Sequence, residues 1–309
     1  MNIGLNVDLN VGMLDLLPAE ISRKEFTALM SLLDDPQESV CQAVRQKLKS
    51  YGGSVVPCLR VLWASESNEH IRMSLLRVIQ SFQQNSLLEL LEMVKDAGDS
   101  GRDIDLETAV ILLSQFGYPE TATMEVKQRL DGIALRIHAL FMKSQQHSEL
   151  NLLLSINQAF FEEEQFFGAH DEHYHHPDNS YVFTLLQQKR GIPISLCALY
   201  LLVAERAGVT LFGVGMPAHF IVYHPELDVF IDTFNKGAFL SREDCKRFIQ
   251  GAGFKYEPTM LDSVSNIAIL LRMIRNLIFA YTKRNHDWEV AALQEISSAI
   301  VETMNQEDS

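Results

Sequence analysis

Basic charge is scarce in this chain. It carries 26 Lys and Arg against 40 Asp and Glu, a formal net charge of −14. Polyanions need a positive surface, which excludes nucleic acid and anionic membrane as main partners. Cysteine is scarce as well. Cys41, Cys58, Cys197 and Cys245 stand far apart, with no C-x-x-C pair. That argues against a disulfide frame or a cysteine zinc site, and fits reduced thiols in a cytoplasmic protein. No apolar run approaches the roughly 20 residues of a membrane-spanning helix. Met1 to Asn6 lacks a basic stretch, so it does not read as a signal peptide. There is no Gly-rich phosphate loop and no dinucleotide fingerprint, and no cofactor is expected.

Apolar material is plentiful. Hydrophobic residues make up 47% of the 309 residues, enough for two or more folding units. The first 95 residues or so read as helices with an internal repeat. Asp35 to Val40 leads into a helix with Val40, Val44 and Leu48 on one face, and Ser67 to Arg72 leads into another with Ile71, Leu75 and Ile79 on the matching face. Val55 to Trp63 supplies a short helix between them. Paired helices that cover each other's apolar faces at such a period resemble HEAT-type repeats. The polar stretch Asp96 to Asp103 reads as the boundary that follows.

Helices are expected at Asp105 to Gly117, Thr121 to Ser144, Glu149 to Glu163, Tyr181 to Gln188 and Ile194 to Ala207. After Gly208 the period shortens to that of strands, at Leu211–Val214, His219–His224 and Val229–Asp232, with Pro225 to Asp228 as a hairpin turn. Ser241 and Asp244 form a capping box for a further helix. Ser263 to Glu302 reads as two antiparallel helices that turn at Asn285 to Asp287.

Helix followed by three strands is an order that suits thiol chemistry. A nucleophile at a helix N-terminus gains from the macrodipole. A His on an adjacent strand acts as base, and a carboxylate on the next strand orients it. His219 opens one strand and Asp232 closes its hairpin partner, so the two side chains are expected side by side.

The motifs that surround this pair are specific. Arg190-Gly191-Ile192-Pro193-Ile194-Ser195-Leu196, Ala204 to Gly208, Pro217-Ala218-His219-Phe220 and Phe230-Ile231-Asp232-Thr233-Phe234 follow in order, preceded by Tyr174 to Ser180. Over about residues 103–302 they resemble the SirB-type branch of the transglutaminase-like superfamily. The internal repeat and, from residue 103 on, the resemblance together imply a mainly α, α+β architecture in three parts. A HEAT-like helical region spans 1–98. A transglutaminase-like domain spans 103–258, helical over 103–188 and with a papain-type core and small antiparallel sheet over 189–258. A TPR-like helical tail spans 259–309.

The departures from the pattern bear on function. The superfamily's nucleophilic cysteine falls near Pro193, which carries no nucleophile. Ala218 replaces a Gly and Thr233 a Pro. Cys197 lies one turn beyond Pro193 on the same helix face and is the candidate stand-in with His219 and Asp232; Ser195 lies on a different face. The loop with His170, Asp171, Glu172, His173, His175 and His176 is a second candidate, as metal ligands, with His219 as a further donor. The reading that follows is a non-catalytic transglutaminase-like module with a protein or peptide partner. The rivals are a cysteine-type hydrolase or acyl transferase, and a metal-dependent hydrolase.

Overall fold

The computed structural model describes residues 16–170 and 174–307. The chain divides into two compact units. One takes the residues up to Glu89 together with Gln115–Ala122, and the other takes Leu90–Ser114 together with Thr123 onward.

The first unit is helical. Helices α1 (Arg23–Ser31), α2 (Glu38–Ser50), α3 (Val56–Ser65) and the start of α4 (Glu69–Asp99) follow one another. Ser22 caps α1 by accepting from the Glu25 N–H. The core joins Phe26, Met30, Leu33, Val44, Leu48, Leu59 and Leu75. The expected faces hold with a small rotation. Cys41, Val44 and Leu48 are buried on α2 while Val40 is only half-buried, and Ile71, Leu75 and Ile79 are buried on α4 together with Val78.

Helix α4 runs on to Asp99 and so ends inside the polar stretch from Asp96. Polar side chains do not break a helix by themselves; a left-handed residue does. Gly101 supplies it with φ +62°, and the Gly101 and Arg102 N–H groups return to the Gly98 and Ala97 carbonyls.

Most of helix α5 (Leu106–Gly117) belongs to the second unit, where α6 (Thr123–Lys143) and α7 (Glu149–Asn157) follow. The sequence reads one helix from Glu149 to Glu163. Its last six residues, Gln158–Glu163, widen into a π turn. Strand β1 (Phe167–Gly168), a 3-10 turn (Pro177–Ser180) and α8 (Val182–Gln188) lead to β2 (Arg190–Gly191), which pairs in parallel with β1.

Helix α9 (Pro193–Arg206) is the axis of this unit. Every residue from Pro193 to Ala204 is buried. Proline in the first turn loses no hydrogen bond there, and Gly208 ends the helix with φ +83°. Strands β3 (Phe212–Val214), β4 (Ile221–His224), β5 (Val229–Asp232), β6 (Ala238–Leu240) and β7 (Ser263–Val264) form an antiparallel sheet in the order β6-β5-β4-β3-β7. The sheet packs on α9 through β3 and β4. The expected capping box at α10 (Arg242–Gly251) is present, with Ser241 and Asp244 bonded to each other's N–H. Helices α11 (Asn266–Thr282) and α12 (Asp287–Glu307) pack together, and α11 also packs on α9.

Edge strands β6 and β7 escape sequence reading because each is too short for alternation to register. The expected strand from His219 begins two residues later, at Ile221. Among the described residues, no helix is long and apolar enough to cross a membrane.

Candidate functional site

Asp232 ends β5, and the chain turns back over its carboxylate. Oδ1 accepts from the Phe234 and Asn235 N–H groups at 3.1 and 3.2 Å, and Oδ2 accepts from Asn235 Nδ2 at 2.7 Å. His219 Nε2 stands 3.0 Å from Oδ2, an ion-pair distance that lies out of line for a straight N–H bond. The two residues are 6% and 5% exposed. Burial alone would raise the Asp232 carboxyl, but His219 and Asn235 outweigh it and hold the group below its ordinary value. With Nε2 turned to Asp232, the other ring nitrogen is left for whatever approaches from outside.

His219 is presented by a tight loop. Its N–H returns to the Met216 carbonyl, and Ala218 takes the left-handed conformation at φ +60°. Arg272 of α11 fastens the loop from the other side. Its Nη2 donates to the Met216 carbonyl at 3.2 Å and the His219 carbonyl at 2.8 Å, and its guanidinium lies over the Phe220 ring. A cleft of about 170 Å³ opens here. One wall is Ile192, Pro193 and Ile194, another is Ala218, His219 and Phe220, and Tyr174, Arg272 and Asn276 complete it.

The family resemblance implies the missing nucleophile near Pro193, and Pro193 lines this cleft. Cys197 is fully buried. Its thiol lies 3.0 Å from Thr233 Oγ1 and 3.4 Å from the Phe220 carbonyl, and burial pushes its pKa far up. Desolvation disfavours the thiolate that nucleophilic chemistry needs. Ser195 is committed as well. Its Oγ accepts from the Ile192 N–H and donates to the Asn179 carbonyl, which closes the first turn of α9.

The motif residues around the cleft have structural work. Asn179 is fully buried, accepts from Arg190 Nε at 3.0 Å and donates to the Tyr174 carbonyl at 3.2 Å. It thereby joins the Tyr174–Ser180 segment to β2, and its carbonyl, bonded by Ser195 Oγ, joins the segment to the start of α9. Phe234 lies against Gly168, where an added Cβ would sit 2.5 Å from the ring.

The histidine loop spreads out. His173, with Asp171 and Glu172, lies outside the described residues. The His170 ring meets Phe234 at 5.1 Å, and the His175 ring meets Tyr174 and Phe279, each at 4.9 Å. His176 Nδ1 accepts from the Asp178 N–H. Among the described residues no three His, Cys, Asp or Glu could share a metal ion.

Arg272 and Asn276 fall in a segment read from sequence only as a tail helix. Their signal was there. Arg272 and Arg275 are the two charges of the apolar stretch from Ile267 to Tyr281, and helical spacing carries the face of Arg272 to Asn276.

Residues 124–275 match the family model described as the transglutaminase-like superfamily, so this stretch is a transglutaminase-like domain. A UPF0162 protein of Xylella fastidiosa is 34% identical over 148 residues, which are 45% of this chain and 52% of that relative. A UPF0162 protein of Vibrio cholerae is 28% identical over 120 residues, 37% of this chain and 44% of the relative. F-box only protein 21 of Homo sapiens is 30% identical over 171 residues, 50% of this chain and 26% of the relative. The chain thus spans about half the length of the Xylella relative. No solved structure matches the chain significantly.

Proposed function

We propose that the transglutaminase-like domain, of the SirB-type branch, is a non-catalytic module that works through protein–protein contacts. HEAT-like helices precede it and TPR-like helices follow it, and both kinds offer surfaces for peptides or partners. The observation that carries this reading is Pro193. It lines the cleft beside His219 where thiol chemistry needs its nucleophile. The thiol on the same helix, Cys197, is fully buried and engaged with Thr233. The His219–Asp232 pair then shapes one wall of a binding cleft. The four buried cysteines, none of them in a disulfide, support a reducing compartment, the cytoplasm.

The test is reaction of the intact chain with a cysteine-directed alkylating probe, with sites mapped by mass spectrometry. Cys197 is expected to react only as fast as the protein opens globally, and at the same rate in H219A after correction for stability. Fast labelling of Cys197 that needs His219 would overturn the reading in favour of a cysteine-type acyl transferase.

A further inference from the structure

A guanidinium half-buried in a cleft normally meets a carboxylate, because removing a charge from water is costly unless it is paired. Arg272 has no such partner. Among the described residues its hydrogen bonds go only to two backbone carbonyls, both through Nη2. Nε and Nη1 make none, and they belong to a residue that lines the cleft beside His219. Burial is the main cause that lowers its pKa, with Arg275 adding to it and Cys197 and Tyr174 opposing it.

Neutral donors stand with it. Asn276, one turn along α11, keeps part of its amide free after donating to the Arg272 carbonyl. Tyr174 lines the same cleft, and its hydroxyl is close enough to feel the Arg272 charge. Asp232 lies behind His219, so a doubly charged anion such as phosphate would meet twice the repulsion that a single negative charge meets. The cleft holds about 170 Å³, room for a residue-sized group and too little for a nucleotide. Its surroundings are aromatic: Phe248 is 41% exposed with its ring 5.1 Å from that of His219, and Phe279 is 47% exposed on the same side of α11 as Asn276.

We infer that the cleft formed by Arg272, Asn276, Tyr174 and His219 is a binding site for a single carboxylate carried by a peptide, with an apolar side chain beside it. This rests on the reading that the domain binds rather than reacts. Nε and Nη1 open on different edges of the guanidinium, so the carboxylate takes one charge-assisted bond from Arg272 and a second, neutral one from Asn276. A chain terminus and a Glu or Asp side chain present the same group.

Calorimetry on the full chain tests it with three probes: N-acetyl-Ala-Ala-Phe as the free acid, the same peptide as its C-terminal amide, and N-acetyl-Ala-Glu-Phe amide. The free acid is expected to bind at least about tenfold more tightly than its amide, since a charge-assisted pair is lost. In R272Q that preference should vanish. Because Arg272 also holds the Met216 and His219 carbonyls, N276L serves as a milder variant, expected to weaken the acid severalfold. Binding of the Glu peptide as tight as that of the acid assigns the site to side-chain carboxylates and supports it. Equal affinity for acid and amide, or no binding of any probe at millimolar concentration, overturns the carboxylate site but leaves the non-catalytic reading standing. Cleavage or covalent capture of a probe, seen by mass spectrometry, overturns the non-catalytic reading instead.

Discussion

His219 Nε2 faces Asp232 Oδ2 across 3.0 Å, and on the imidazole's outer side the cleft wall is Pro193. On the proposed reading the imidazole is an oriented base, and Pro193 stands near the place of the superfamily's nucleophile.

That relationship predicts what restoring the nucleophile does. In Pro193→Cys the new thiol sits at the first turn of α9 beside His219, where helix dipole and imidazole both favour thiolate. It should alkylate at least about tenfold faster than a free thiol at neutral pH, and the excess should disappear in the P193C/H219A pair. Equal rates with and without His219 would show that the imidazole does not reach that position.

Asp232 should make stability depend on acid. Its carboxyl is held below the ordinary value of 3.8, so its stabilising contribution is present above that pH and fades as pH falls through the folded value. D232N should cost about 1–3 kcal/mol near neutral pH, because His219 and two N–H groups lose a charged acceptor. The gap between wild type and variant in urea midpoint should be flat above roughly pH 5 and should close below it. A gap that widens toward pH 3 would contradict the assignment.

Ala218 occupies a conformation that suits glycine, φ +60°, and it is exposed. The left-handed region costs a non-glycine residue about 1–2 kcal/mol, while Ala→Gly loosens the unfolded chain by about 0.4–1 kcal/mol. A218G should therefore be neutral to stabilising by about 1 kcal/mol, seen as a thermal midpoint that does not fall. A drop of several degrees would mean that the Ala218 methyl group makes a contact worth more than the strain.

Asn179 joins two segments through its amide, to Arg190 and to the Tyr174 carbonyl. N179A should destabilise by about 1–3 kcal/mol, since buried partners are left unsatisfied. It should also loosen the Tyr174 side of the cleft, read as faster amide exchange over residues 174–180. An unchanged exchange pattern would show that the 3-10 turn holds itself.

Much of this site was legible in the sequence. The apolar run from Ile194, the Gly208 stop and the Pro225–Asp228 turn were enough to set His219 against Asp232. Both residues are fixed by local pattern and by one hairpin, so short-range rules reach them. Arg272 was not legible as a site residue, because it arrives from a helix 53 positions after the histidine whose carbonyl it holds. No local periodicity encodes that meeting; only the packing of α11 on α9 does. The end of α4 falls inside the Asp96–Asp103 stretch expected from sequence. Polarity marked the break, while backbone conformation at Gly101 made it.

The central claim is that the domain has lost its reactive thiol, and Cys197 decides it. The measurement is the alkylation rate of Cys197 in the native chain, compared with the rate of global opening from hydrogen exchange. The account predicts that the two rates agree and that H219A changes them equally. Labelling of Cys197 well ahead of global opening, and lost in H219A, would contradict it.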